Sequence, residues 1–261
     1  MTYNTLSIEK LDSVSWCKLN RPEVRNAFNA EMIAELTHFA RNLDADVRTV
    51  VLLGEGPVFC AGGDLRWMQQ SLEMDREQNR QDARRLAEMY FALDRLRVPL
   101  IGSIHGAAFG GGAGLVCVCD YAIAQSGTKF SFSEVRLGIV PACISPFVLR
   151  KIGPGYARSL FLTAERFEVQ RAYEIGLVHR IAESPEEAQN LVKEKIQQVL
   201  ECGPEAIRHT KNLMFELLFA SGDEEQLNRA ADLLASVRVS EEGQDGLRAF
   251  LEKRKPRWHR E

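Results

Sequence analysis

The sequence predicts an α/β core followed by a C-terminal helical region. Three observations carry this reading. Short apolar, β-branched runs at Thr49–Leu53 and Leu100–Ile104 each lead into glycine, as buried strands of a parallel sheet do. Segments of helical period alternate with them. Beyond about residue 155 the texture turns wholly helical. A boundary near residue 195 separates the core, 1–195, from the helical region, 196–261.

In chain order, Leu6 and Ile8 alternate with polar residues, Asp12 and Ser13 interrupt, and Val14 to Leu19 resumes an extended pattern. A hairpin is expected there. Asn29 is the N-cap candidate for a helix in which Ile33, Leu36, Phe39, Ala40 and Leu43 recur at helical period. Residues 75–97 read as a charged helix stopped by Pro99. Tyr121–Ala124 and Lys129–Phe132 are two more short strands. Pro154, Pro185 and Pro204 each mark a helix start.

The chain has 261 residues, 45% of them apolar and 26% charged, which is ordinary globular composition with length for a sizeable core. Lys plus Arg is 33 and Asp plus Glu is 36, giving a net charge of −3. That argues against a surface built for nucleic acid or anionic membrane. Cys17, Cys60, Cys117, Cys119, Cys143 and Cys202 are scattered in apolar surroundings without CxxC spacing. Free thiols in a reducing compartment fit better than a disulfide framework or a zinc site, so no metal is expected. The first residues have neither a basic n-region nor an apolar h-region, and no apolar run is long enough to cross a bilayer. A cytoplasmic protein without membrane contact is the expectation.

Two glycine-rich segments are candidates for chemistry. Phe59-Cys-Ala-Gly-Gly-Asp-Leu65 follows the first of the two strands, and Gly106-Ala-Ala-Phe-Gly-Gly-Gly-Ala-Gly114 follows the second. Each precedes a helix. Backbone N–H groups at a helix start favour anionic oxygen, and two such turns on adjacent strands can aim two N–H groups at one oxygen. Read singly, each is a tight packing turn before it is a binding turn. Neither GxxxxGK[ST] nor GxGxxG spacing is present. Glu134 lies in the largely apolar stretch Phe130-Ser-Phe-Ser-Glu-Val-Arg-Leu-Gly138, where burial disfavours the carboxylate and tunes it toward acid or base work. A partner for Arg136 or a helix cap is the alternative. Ser103 and His105 lack a GxSxG context, and Cys60 reads as an apolar filler.

Taken together, these segments resemble the enoyl-CoA hydratase/isomerase (crotonase) superfamily over essentially the whole chain. The resemblance rests on Asn20-Arg21-Pro22 with Asn26-Ala27, the turn at 59–65, the segment from Gly106 to Gly112, Cys119-Asp120, Glu134-Val-Arg-Leu-Gly138, and Arg171-Ala-Tyr-Glu-Ile-Gly-Leu-Val178. It implies a crotonase-like spiral of ββα units with a C-terminal helical trimerisation region, and homotrimers or dimers of trimers. It also implies an acyl-CoA thioester as substrate, with coenzyme A entering as part of that substrate and no separate cofactor. Two backbone N–H groups would hold the thioester oxygen, by position those of Ala61 and Gly111, and Glu134 would be the acid/base. Gly63, Asp64 and Leu65 would lie beside the substrate. Trp67 and Met68 would wall the acyl pocket or fill the core. The Ala142 N–H would help hold water, and Arg25 and Lys253 would meet coenzyme A phosphates, Lys253 from a neighbouring subunit.

Family hydratases commonly carry a first glutamate where this chain has Gly114. The stretch Ile139-Val-Pro-Ala-Cys-Ile-Ser-Pro-Phe147, with Asp64-Leu-Arg-Trp-Met68 and Gly114, resembles the bacterial 3-methylglutaconyl-CoA hydratases of leucine breakdown. Their relatives acting on isohexenylglutaconyl-CoA share the look. That resemblance implies a distal carboxylate on the acyl chain, and Arg136 is its candidate partner if the segment is extended. A Δ3,Δ2-enoyl-CoA isomerase or another single-glutamate enzyme is the nearest rival. A non-catalytic acyl-CoA-binding homologue is another. RNA binding has only the short basic tail in its favour.

Overall fold

The structure, a computed structural model, describes residues 2–219 and 222–259. Its contacts divide the chain into two compact units, Met1–Glu194 and Lys195–Glu261.

The first unit opens with the expected hairpin, β1 (Leu6–Leu11) antiparallel to β2 (Val14–Leu19), turning at Asp12 with φ 52°. Asp tolerates that left-handed conformation better than most residues. Asn29 caps α1 (Ala30–Arg41), its side chain accepting from the Met32 N–H. Then follow β3 (Thr49–Gly54), α2 (Leu65–Ser71) and α3 (Arg76–Asp94). Asp75 and Gln78 close a reciprocal capping box at the start of α3. The chain continues through β4 (Leu100–Ile104), β5 (Ala107–Phe109), α4 (Gly111–Val118), β6 (Tyr121–Gln125) and β7 (Lys129–Ser131). A 3-10 turn at Glu134–Leu137 leads to α5 (Ser145–Thr163), β8 (Phe167–Glu168), α6 (Val169–Glu174) and β9 (Arg180–Ala182). α5 breaks at Gly153, φ 75°, so Pro154 starts its second half, where a proline lacking an N–H is tolerated.

One sheet has the order β1-β2-β3-β4-β6-β9, parallel from β2 onward, and a smaller one has the order β5-β7-β8. A parallel bridge from Cys60 to Ala108 adds the stretch after β3 to the small sheet. Successive passes of the chain therefore lay one strand in each sheet, which is the spiral. Val50, Val51, Leu52, Leu100 and Ile101 are wholly buried, as strands covered on both faces must be. The chain beyond residue 155 is not all helical. Strands β8 and β9 are two and three residues long, and each exists because it pairs with β7 or β6.

α7 (Pro185–Leu200) carries the chain into the second unit, which holds α8 (Pro204–Phe219), α9 (Asp223–Val239) and α10 (Glu241–Leu251). The Glu242 carboxylate accepts from the Glu205 and Ala206 N–H groups at 3.0 and 2.8 Å, closing the start of α8. Asp245 accepts from Arg254 and from the Arg257 N–H. Among the described residues no helix is long and apolar enough to cross a membrane.

Candidate active site

The two glycine-rich turns meet. The Cys60 N–H donates to the Ala107 carbonyl and the Phe109 N–H to the Cys60 carbonyl, both at 3.1 Å. An ideal Cβ on Gly112 would lie 2.5 Å from the Cys60 oxygen, so this close approach requires glycine there. The first turn is pinned from its other side. Phe28 donates to the Gly62 carbonyl at 2.7 Å and Asp64 donates to the Phe28 carbonyl at 2.8 Å. Asn26, wholly buried, spends its amide on the Glu55 and Val58 carbonyls. Arg21 pairs with Asp64 at 2.9 Å, and Asp64 also caps α2. Burial disfavours the Asp64 charge, but the Arg66 N–H and the Arg21 guanidinium outweigh it and hold the carboxyl below its usual range. The Asn20-Arg21-Pro22…Asn26 motif is thus a clamp on the turn.

A cavity of about 380 Å³ opens at this junction, and Gly63, Gly111 and Glu134 all line it. Neither the Gly63 nor the Gly111 N–H donates to another described residue. Gly111 is the first residue of α4, where the helix dipole is positive. Glu134 heads its 3-10 turn, and its Oε2 is buried without a hydrogen-bond partner. Burial pushes this carboxyl above the ordinary glutamate range. Two free donors and one unpaired carboxyl therefore share a largely apolar chamber.

Four expected site residues take other places. The Ala61 N–H is occupied by the Arg25 carbonyl at 3.0 Å, so the donor in the first turn is Gly63, two residues on. Gly114 does not line the cavity, because the space above it is filled by Ile144, with Tyr90 beside it. Arg136 lies in a 3-10 turn rather than a strand, and its Nε donates to the Ala164 carbonyl at 3.0 Å, away from the cavity. Ala142 lines the cavity, but its N–H goes to the Val140 carbonyl at 2.8 Å. Trp67 and Met68 do wall the chamber. Arg25, Asp64 and Leu65, with Ala61, line an adjoining cleft of about 620 Å³ that also holds Arg21 and Arg66. Lys253 follows α10 in the second unit.

Sequence reasoning missed the far wall. Asn79, Asp82, Ala83, Leu86 and Tyr90 form one face of α3 and line the cavity. Their spacing of three, four, seven and eleven residues is a helical stripe, and that was the available signal. Asp82 is paired with Arg85 at 3.1 Å. Tyr90, wholly buried, donates from its hydroxyl to the Gly111 carbonyl at 2.7 Å. Cys60 is a filler, as expected: burial pushes its thiol up to about 12, and it donates to the Asn26 carbonyl. Among the described residues no group of three or more His, Cys, Asp or Glu is placed to hold a metal ion.

Known proteins resemble this chain over nearly its whole length. The sequence profile of the enoyl-CoA hydratase/isomerase family matches residues 9–261. A putative enoyl-CoA hydratase of Thermus thermophilus is 35% identical over 242 residues, covering 92% of this chain and 95% of its own. The crystal structure of an enoyl-CoA hydratase from Shewanella pealeana superposes with a TM-score of 0.94 at 38% identity, covering 98% of this chain and 96% of its own. Pseudomonas aeruginosa AtuE superposes with a TM-score of 0.95 at 36% identity, covering 98% and 100%.

Proposed function

The chain belongs to the enoyl-CoA hydratase/isomerase family, and on that premise we propose that it reversibly hydrates 3-methylglutaconyl-CoA to 3-hydroxy-3-methylglutaryl-CoA. The observation that carries the mechanism is the chamber in which Gly63, Gly111 and the unpaired Glu134 converge. In the dehydration direction the Glu134 carboxylate removes a proton from C2. The thioester oxygen gains negative charge as the enolate forms, and the Gly63 and Gly111 N–H groups stabilise it by several kcal/mol. The newly protonated Glu134 then gives its proton to the departing C3 hydroxyl on the same face, and water leaves. C3 is tertiary, so its carbon–oxygen bond breaks more readily than at a secondary carbon. One carboxylate serves both steps, which fits a site whose first-glutamate position is filled by Ile144.

The chamber's other carboxylate, Asp82, is neutralised by Arg85. The distal carboxylate of the acyl group calls for a donor other than Arg136. Trp67 supports the reading, since it stands on the wall with its indole N–H buried and unpartnered. A buried donor left unpaired costs about 1–3 kcal/mol, which a ligand acceptor would recover. Arg25 and Arg66 in the adjoining cleft suit coenzyme A phosphates, and coenzyme A enters only as part of the substrate. A homotrimer or dimer of trimers is proposed, with Lys253 reaching the phosphates from a neighbouring subunit. The exposed Leu218, Leu227, Leu234 and Phe250 of the second unit support association. A cytoplasmic location is proposed with it.

The test is direct. Purified protein is given 3-hydroxy-3-methylglutaryl-CoA, crotonyl-CoA and a 3-enoyl-CoA, with Glu134→Gln as control. Appearance of the α,β-unsaturated thioester from the first, abolished in the variant, supports the proposal. Turnover of the 3-enoyl-CoA alone makes the enzyme an isomerase, and silence on all three overturns the substrate and favours a binding-only homologue.

A further inference from the structure

We propose that Tyr90 is a positioning residue that fixes the Gly111 N–H. This rests on the oxyanion reading above and deepens it. The segment Gly110-Gly111-Gly112-Ala113-Gly114 has almost no side chains to hold it, and glycine is the residue with the most backbone freedom. A dipole stabilises a developing charge well only if it is already aimed. The Gly114 N–H donates to the Gly110 carbonyl at 3.1 Å and fixes the peptide unit on that side, which leaves the Gly111 side to be held from outside the segment.

Tyr90 is placed for this. Its hydroxyl donates to the Gly111 carbonyl at 2.7 Å. An ideal Cβ on Gly111 would lie 2.7 Å from that hydroxyl oxygen and 2.8 Å from Phe28 Cε2, so tyrosine and phenylalanine grip the glycine between them. The two rings meet edge to face, with centroids 6.3 Å apart. The same Tyr90 ring reaches Gly114, where an added Cβ would lie 3.1 Å from Tyr90 Cε1. Burial, with the Glu134 charge contributing, holds the phenol well above its usual pKa, so it is a neutral donor throughout the working range.

The experiment reads carbonyl polarisation in the full-length protein. The conjugated probe 2,4-hexadienoyl-CoA is bound to Glu134→Gln, which prevents turnover, and to Glu134→Gln combined with Tyr90→Phe. The red shift of the bound thioester absorbance is measured for each. The expected result is that the second protein binds the probe within about threefold of the first but loses most of the shift. With Glu134 intact, Tyr90→Phe should lower kcat about tenfold and leave KM and the pH profile in place, the size expected for one anchoring hydrogen bond. Phe28→Leu, which loosens the grip without removing a hydrogen bond, should lower the shift less. An equal shift with and without Tyr90→Phe overturns the proposal. No shift in the Glu134→Gln parent overturns the oxyanion reading itself, and this inference with it. If Tyr90→Phe does not fold, 3-fluorotyrosine at position 90 keeps the ring and strengthens the donor. It should then deepen the shift, and an unchanged spectrum overturns the proposal.

Discussion

Gly114 lies mid-helix in α4 and is buried, and two opposed effects act there. Helix propensity alone favours Gly114→Ala by about 1 kcal/mol. Space does not. The added Cβ would fall inside the van der Waals envelope of Ile144 Cγ2 and lie 3.1 Å from both Ile144 Cβ and Tyr90 Cε1. Overfilling a tight core costs roughly 1–3 kcal/mol, so the net effect is a loss of about 0–2 kcal/mol. Ile144 is 2% exposed, and Ile144→Ala alone should cost about 2–4 kcal/mol through the void it leaves. The two changes are complementary, because deleting Cγ2 makes room for the new methyl. The double variant should therefore be at least about 1 kcal/mol more stable than the sum of the singles. Ile144→Val keeps Cγ2 and should rescue nothing. Urea unfolding of the four proteins of the cycle, with the valine control, gives the answer. Strict additivity, or stabilisation by Gly114→Ala alone, would refute the argument that Ile144 occupies the missing carboxylate's place. Gly114→Glu adds a carboxylate to the same apolar spot and should cost several kcal/mol more.

Glu134→Gln should lower turnover by roughly 10²–10⁴-fold, as loss of a positioned acid/base does. The same variant should be more stable than the parent at neutral pH. A carboxyl whose folded pKa is raised favours folding at pH below its unfolded value and loses that contribution as pH rises through the folded value. The advantage of glutamine should thus vanish in acid, and melting curves across pH will show whether it does. Asp64→Ala removes the cap of α2 and leaves Arg21 without its carboxylate, so a stability loss of about 1–3 kcal/mol with weaker substrate binding is expected. Arg136→Ala should leave discrimination between carboxylated and plain acyl chains unchanged, measured as the ratio of kcat/KM values, because its Nε is engaged by Ala164.

Local chemistry was legible wherever a local interaction decides the structure. Asn29 caps its helix through its own side chain, and Pro185 and Pro204 start helices because they need no N–H partner there. The glycine turns and Glu134 were visible for the same kind of reason. What the sequence hid depends on partners far along the chain. The choice between Ala61 and Gly63 as the free donor is made by the Arg25 carbonyl, 36 positions away in the case of Ala61. Gly114 looks like open space until Ile144 is folded over it. Strand β9 is three residues whose identity as a strand comes from its pairing with β6. Arg136 was misplaced because two-residue alternation requires an extended chain, and a left-handed Gly138, φ 72°, ends a 3-10 turn instead.

The backbone ladder between Cys60 and Ala108 has a consequence for how such an enzyme can diverge. The geometry it fixes is written in peptide groups, which every residue carries alike. The side chains at Asn79, Asp82, Ala83 and Leu86 belong to a separate helix and touch that ladder nowhere in its hydrogen bonding. Mutational drift at those four positions, Tyr90 apart, can therefore retune which acyl group is admitted while the reacting frame is inherited intact. Selection acts on the two independently, and a lineage can explore new substrates without first dismantling its chemistry.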